Sequence, residues 1–161
     1  MNEEAKLREQ VVHLLRGGGA HQDLNHVFRK VPENARGTRP DSLPYSLWEL
    51  LEHIRIAQWD ILEFSRDPEH ESPDWPGGYW PPDPAPPSPD AWDESLMKLS
   101  SDLERMAELV SDPEMDLFSP FPWGEGQNLF REALLVADHN AYHLGQVVAL
   151  RRILGIWPPE E

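Results

Sequence analysis

The sequence predicts an all-α helical bundle in one domain spanning residues 1–161. Four segments repeat apolar residues every three or four positions, each opens or closes on a capping or stop signal, and no stretch alternates apolar and polar residues as a half-buried strand does. A chain of 161 residues is long enough to bury about two-thirds of its unfolded surface in a single core.

The first helix is expected over residues 3–16. Leu7, Val11, Leu14 and Leu15 share a face, Asn2 stands at the N-cap, and Gly17-Gly18-Gly19 stops the helix. Leu24, Val27 and Phe28 predict a shorter helical piece within 20–30, followed by a turn-rich stretch to Pro44. The second long helix opens at Ser46-Leu47-Trp48-Glu49, where the Ser and Glu side chains are spaced to satisfy each other's free backbone N–H, and it is expected to run to Ser65. Nine prolines then fall between Arg66 and Pro89, so neither helix nor central strand persists there. Trp75, Tyr79 and Trp80 predict that this long connection packs back over the bundle, and simple packing is preferred to a role as a lid.

The third helix is expected to start with Ser88 as cap and Pro89 as first helical residue, carrying Trp92, Leu96, Leu99, Leu103, Met106 and Val110 inward. Pro120, Pro122, Gly124 and Gly126 mark 112–127 as a connection. The last helix is expected from Asn128 to Leu154, with Gly155 as its stop and Pro158 beyond.

Charge and composition narrow the chemistry. Against 29 Asp and Glu there are only 14 Lys and Arg, a net charge of −15 that repels phosphate backbones and anionic lipid surfaces. Nucleic acid and membrane are therefore not expected partners. No 18-residue apolar run occurs, and Met1 to Lys6 lack the basic start and apolar core of an export signal, so a cytoplasmic protein is expected. With no cysteine, disulfides, zinc–thiolate sites and cysteine nucleophiles are excluded, and any metal must sit on imidazole and carboxylate ligands.

Seven histidines are present, and three carry a pattern. His139 and His143 are four residues apart and so project from one helical face, which continues through Leu135, Val136, Val147, Leu150 and Leu154. His53 shares a face with Leu50, Ala57, Ile61 and Phe64 on the second long helix. Burying such rings unpartnered costs several kcal/mol each, on the order of 2–5, whereas a shared divalent ion satisfies one nitrogen of each and leaves the other for a neighbouring acceptor. Three histidine ligands also leave a position open for water or substrate, as catalytic sites do. Zinc, nickel and manganese all suit such a ligand set. His21 and Gln146 are candidate additional pocket residues. His70 is expected to be solvated, and Glu49, Glu52 and Asp60 are the carboxylates near His53, the first assigned to the capping box and the other two to a charged outer face.

Two segments, Ser46-Leu47-Trp48-Glu49-Leu50-Leu51-Glu52-His53 and Asp138-His139-Asn140-Ala141-Tyr142-His143-Leu144-Gly145-Gln146, resemble the DinB-like family of metal-binding four-helix bundles and the related YfiT-type hydrolases and thiol-dependent transferases. The resemblance implies an up-down-down-up four-helix bundle, a metal triad at His53, His139 and His143, zinc or nickel as the ion, and frequent homodimers. Activity stays open between a metal-dependent enzyme, hydrolase or thiol transferase, acting on a small molecule or low-molecular-weight thiol, and a non-catalytic metal-binding stress protein or helical interaction module. The Gly17–Gly19 break and the Pro/Trp-rich connection depart from the plainer family pattern.

Overall fold

Local capping chemistry places the helix starts. In the computed structural model, which describes residues 2–159, the α-helices are α1 (Glu3–Arg16), α2 (Leu24–Phe28), α3 (Leu47–Arg66), α4 (Ala91–Ser111) and α5 (Leu129–Ile153), and no strand occurs among the described residues. The Asn2 side chain accepts from the Ala5 N–H at 2.8 Å, and the Asn128 side chain accepts from Arg131 N–H at 2.8 Å. At Ser46 the reciprocal box is complete: Glu49 N–H donates to Ser46 Oγ at 3.2 Å and Ser46 N–H to Glu49 Oε2 at 2.8 Å. Gly17, at φ 71°, turns the chain off α1 in the left-handed region that glycine enters without strain.

α4 begins two residues later than the Ser88-Pro89 signal predicts. The preceding segment is pinned, because Ser46 Oγ donates to the Pro84 carbonyl and Gly37 packs so closely on Ala85 that an added Cβ would lie 2.5 Å from the Ala85 Cβ. The chain then turns through Ser88 to Ala91, and Asp90 caps α4 without a side-chain hydrogen bond.

Side-chain pairs fix the directions of the long helices. Arg8 reaches the Val110 carbonyl and Arg16 reaches Glu104, so α1 and α4 are antiparallel. Ser95 donates to Glu52, Gln58 to the Leu99 carbonyl, and Arg105 pairs with Glu63, so α3 and α4 run parallel. Asn140 meets Gln58 while His143 meets His53, so α3 and α5 are antiparallel. α1 packs on α4 and α5, and α3 on the same two from the opposite corner, which gives an up-down-down-up four-helix bundle.

Two apolar clusters fill the interior. One gathers Phe28, Leu47, Leu50, Ile54, Trp92, Leu99, Leu144 and Leu150; the other gathers Val11, Leu15, Leu62, Met106, Val110, Leu129 and Val136. Between them Asn140 Nδ2 donates to Gln58 Oε1 at 2.8 Å and Gln58 Nε2 to the Leu99 carbonyl at 2.7 Å, a buried polar layer. Among the described residues no helix is long and apolar enough to cross a membrane.

Arg151 closes one end of the bundle. It is fully buried and donates to the carbonyls of Val27, Arg29 and Ile156, tying α2 and the chain after α5 together. Arg151→Met is expected to strand those carbonyls and cost roughly 3–5 kcal/mol, read as a lowered urea midpoint at unchanged slope; a loss under about 1 kcal/mol would show that water replaces the guanidinium.

Candidate metal centre

His53 lies in the second turn of α3, and His139 and His143 lie one turn apart on α5. Because α3 and α5 are antiparallel neighbours, the three rings meet at the seam between them rather than in either apolar cluster. His53 and His143 are buried and His139 is partly buried. Their Nε2 atoms converge: His53 to His143 is 3.1 Å and His139 to His53 is 3.2 Å. Of the described residues, these three form the group whose ligand atoms lie close enough to hold a metal ion.

The opposite ring nitrogens decide what that convergence means. His53 Nδ1 faces the Tyr79 carbonyl at 2.9 Å, and a carbonyl only accepts, so the proton sits on Nδ1 and Nε2 presents a lone pair. His143 Nδ1 donates to Gln146 Oε1 at 2.6 Å, with the same consequence. Two lone pairs therefore oppose each other across 3.1 Å, an arrangement that needs a cation between them. A proton is a poor candidate for that cation. Burial, together with the His143 and His53 rings, pushes the His139 pKa down to about 3, and burial lowers those of His53 and His143. A divalent ion fits: metal–nitrogen bonds of about 2.0–2.1 Å set imidazole nitrogens about 2.9 Å apart at right angles and about 3.3 Å apart at the tetrahedral angle. The observed 3.1 and 3.2 Å fall inside that interval.

Gln146 thus joins the site as the partner that orients His143. His21 does not. It is exposed, its Nδ1 pairs with the Gln22 carbonyl at 2.9 Å, and it lines a separate small cavity with Asn140 and Leu144. Asn140 and Leu144 each follow a site histidine by one residue, about 100° around the helix, so His21 lies on a different side of α5. His139 Nδ1 is buried without a hydrogen-bond partner, so the neighbouring acceptor expected for each α5 histidine is present for His143 alone.

The Pro/Trp-rich connection, expected to pack simply, builds the site instead. Trp80 stacks on the His53 ring, centroids 4.0 Å apart and planes within 6°, while Tyr79 supplies the carbonyl that His53 needs. The Tyr79 hydroxyl donates to Asp60 Oδ2 at 2.6 Å, and burial followed by the Asp60 carboxylate pushes its pKa up to about 12, so it remains a donor. His70, expected to be solvated, tucks its side chain, 8% exposed, against Trp59 and pairs with Asp60 Oδ1 at 2.7 Å. Asp60 and Glu52 do not belong to an outer charged face: both are buried, and Glu52 is held by Arg55 and Ser95. Sequence spacing carries no signal for the His70–Asp60–Tyr79 set, since its members meet through a loop.

A cavity of 450 Å³ opens over the histidines. Its walls are Ala57, Ile61 and Leu135 with the rings of Trp75, Tyr79 and Tyr142, and its polar groups beyond the histidines include Asp60 and Asp138 but no lysine or arginine. A larger groove of 830 Å³ runs along α1 beside Ser111 and Pro113, away from the histidines.

An all-α bundle with a three-histidine cluster on one seam defines a candidate metal-binding helical protein. Residues 19–147 match the DinB superfamily, and the chain belongs to that family. The match contains all three histidines and the whole connection between α3 and α4 but leaves out α1. No curated protein and no solved structure matches the chain.

The depressed His139 pKa makes a signed prediction for metal-free protein. Above about pH 6.5 the ring is neutral folded or unfolded; below it the unfolded chain takes up a proton that the folded chain refuses. Stability is therefore expected to fall as pH drops from about 6.5 towards about 3, and the slope should be shallower in His139→Gln. Equal slopes in urea titrations of the two proteins would contradict burial of a neutral ring as the cause.

Proposed function

We propose that the protein is a cytoplasmic metal-dependent enzyme, a hydrolase or thiol-dependent transferase, that acts on a small molecule held in the cavity between α3 and α5. The observation that carries this reading is the convergence of three Nε2 atoms, two with their tautomers fixed by Nδ1 partners, at the base of an open cavity. His53, His139 and His143 would hold one divalent ion, zinc or nickel before manganese. Such an ion supplies a Lewis acid that polarises a substrate group and lowers the pKa of a coordinated water or thiol.

The rest of the site selects the molecule. Trp75 and Tyr142, 80% and 65% exposed, stand at the cavity with their rings free to cover an apolar or aromatic body. With carboxylates and no cationic side chain in the lining, an anionic body finds no partner outside the histidines. A substrate with a neutral apolar body and one donor atom directed at the histidines fits this lining. The chain has no cysteine, so a transferred thiol has to come from a second small molecule.

Protein purified without a histidine tag is expected to carry about one equivalent of zinc or nickel by elemental mass spectrometry, and the His139→Ala, His143→Ala double variant none. Turnover of neutral aromatic esters, amides or thiol-acceptor pairs should disappear in that variant and return to wild-type protein after chelation and reloading. Metal bound at one equivalent with no exchangeable water, seen by relaxation of a manganese- or cobalt-loaded sample, would favour an ion that ties α3 to α5 without catalysis. Absence of uptake of zinc, nickel and manganese alike would overturn the reading.

A further inference from the structure

The connection after α3 touches the candidate metal centre through a single residue pair, Tyr79 and Trp80, and something must hold that pair in place. The short 3-10 turn Gly77–Tyr79 has no side-chain cap, and Trp75 next to it is largely exposed. Besides the carbonyl that meets His53, its polar anchor on α3 is the Tyr79 hydroxyl, which donates to Asp60 at 2.6 Å. Asp60 is buried, two turns along α3 from His53, and its other oxygen is taken by His70 at 2.7 Å. His70 comes from the start of the same connection, Tyr79 from its middle. One buried carboxylate thus gathers both ends of the 70–79 loop.

We propose that Asp60 and His70 are positioning residues for the metal centre: by fastening Tyr79 to α3 they hold its carbonyl where it fixes the Nδ1–H tautomer of His53. The role rests on reading the three histidines as the ligand set. Neither residue belongs to the group of atoms close enough to bind the ion, so the effect passes through Tyr79. Without the anchor, the carbonyl drifts from His53 Nδ1, the ring is free to place its proton on Nε2, and the lone pair aimed at the ion is lost. Glu49 and Glu52 offer no equivalent. The first is committed to Arg39 and Ser46, the second to Arg55 and Ser95, and neither lines the cavity.

Binding of metal and docking of the loop are then one linked equilibrium. An ion that selects the His53 tautomer stabilises the docked loop, and a docked loop raises affinity for the ion by the same factor. Partners that orient metal-bound histidines typically contribute about 10–100-fold in affinity, which sets the size of the effect.

Tyr79→Phe is the sharpest variant, since it removes the hydroxyl and keeps the carbonyl; Asp60→Asn and His70→Ala complete the series. Zinc affinity by chelator competition is expected to fall about 10–100-fold in Tyr79→Phe and Asp60→Asn, with the double variant no weaker than the worse single because the residues act as one unit. Ser95→Ala, which loosens Glu52 elsewhere on α3, should lower stability and leave zinc affinity unchanged. Nitrogen-15 NMR of the metal-free protein gives the readout a merely structural role would not move: His53 should be the Nδ1–H tautomer in the wild type and a mixture in Tyr79→Phe. Zinc affinity within about twofold of wild type in Tyr79→Phe, together with an unmoved tautomer, would overturn the proposal. A wild type that binds no metal but shows the tautomer shift would sink the metal reading and leave the positioning of His53 standing.

Discussion

Everything at the α3–α5 seam follows from where two protons sit. Once the Tyr79 carbonyl claims the Nδ1 proton of His53 and Gln146 Oε1 claims that of His143, the facing Nε2 atoms carry only lone pairs, and 3.1 Å between them is tolerable only around a cation. Burial keeps that cation from being a proton, because each ring is pushed towards its neutral form. Removing either Nδ1 partner would relax the conflict by letting the proton cross the ring. The convergence of lone pairs that a metal ion would satisfy is therefore created at a distance from it, by one backbone carbonyl and one side-chain amide.

The helical framework was legible because its signals are local. Asn2 and the Ser46–Glu49 box act within four residues of themselves, and the cap geometry they predict is the geometry found; Asn128, expected as the start of the last helix, caps it from one residue outside. The pairing of His139 with His143 is equally local. Bringing His53 to His143, 90 residues away in sequence, required that their two helices be antiparallel neighbours, which periodicity does not encode and the family resemblance supplied. α4 shows the limit of a local signal: Ser88-Pro89 is a sound helix start in isolation, yet contacts from Gly37 and Ser46 to residues 84 and 85 delay the helix to Ala91.

The polar neighbours of the site were the least legible part. His70 in a proline-rich segment reads as solvated, and Asp60 on a helix with other charges reads as surface, because each in isolation is an uncompensated polar group. Their side chains are buried because they compensate each other, and a loop that folds back on α3 brings them together. The same holds for Glu52, whose partners Arg55 and Ser95 come from its own helix and the next. His21 erred in the opposite direction. A histidine beside a glycine turn looks free to reach a pocket, yet the turn delivers it to another face of α5.

The Gln58–Asn140 layer across the middle of the bundle has a mechanical consequence. Leu, Ile and Val faces tolerate sliding, since one apolar contact replaces another when a helix shifts by a turn of about 5.4 Å. An amide hydrogen bond between α3 and α5 has no such substitute: a slip would bury Gln58 and Asn140 against hydrocarbon with nothing to pair. The layer therefore acts as a register pin that sets the axial alignment of α3 on α5. His53 is five residues before Gln58, and His139 and His143 flank Asn140, so the same pin sets the height at which the imidazoles face one another.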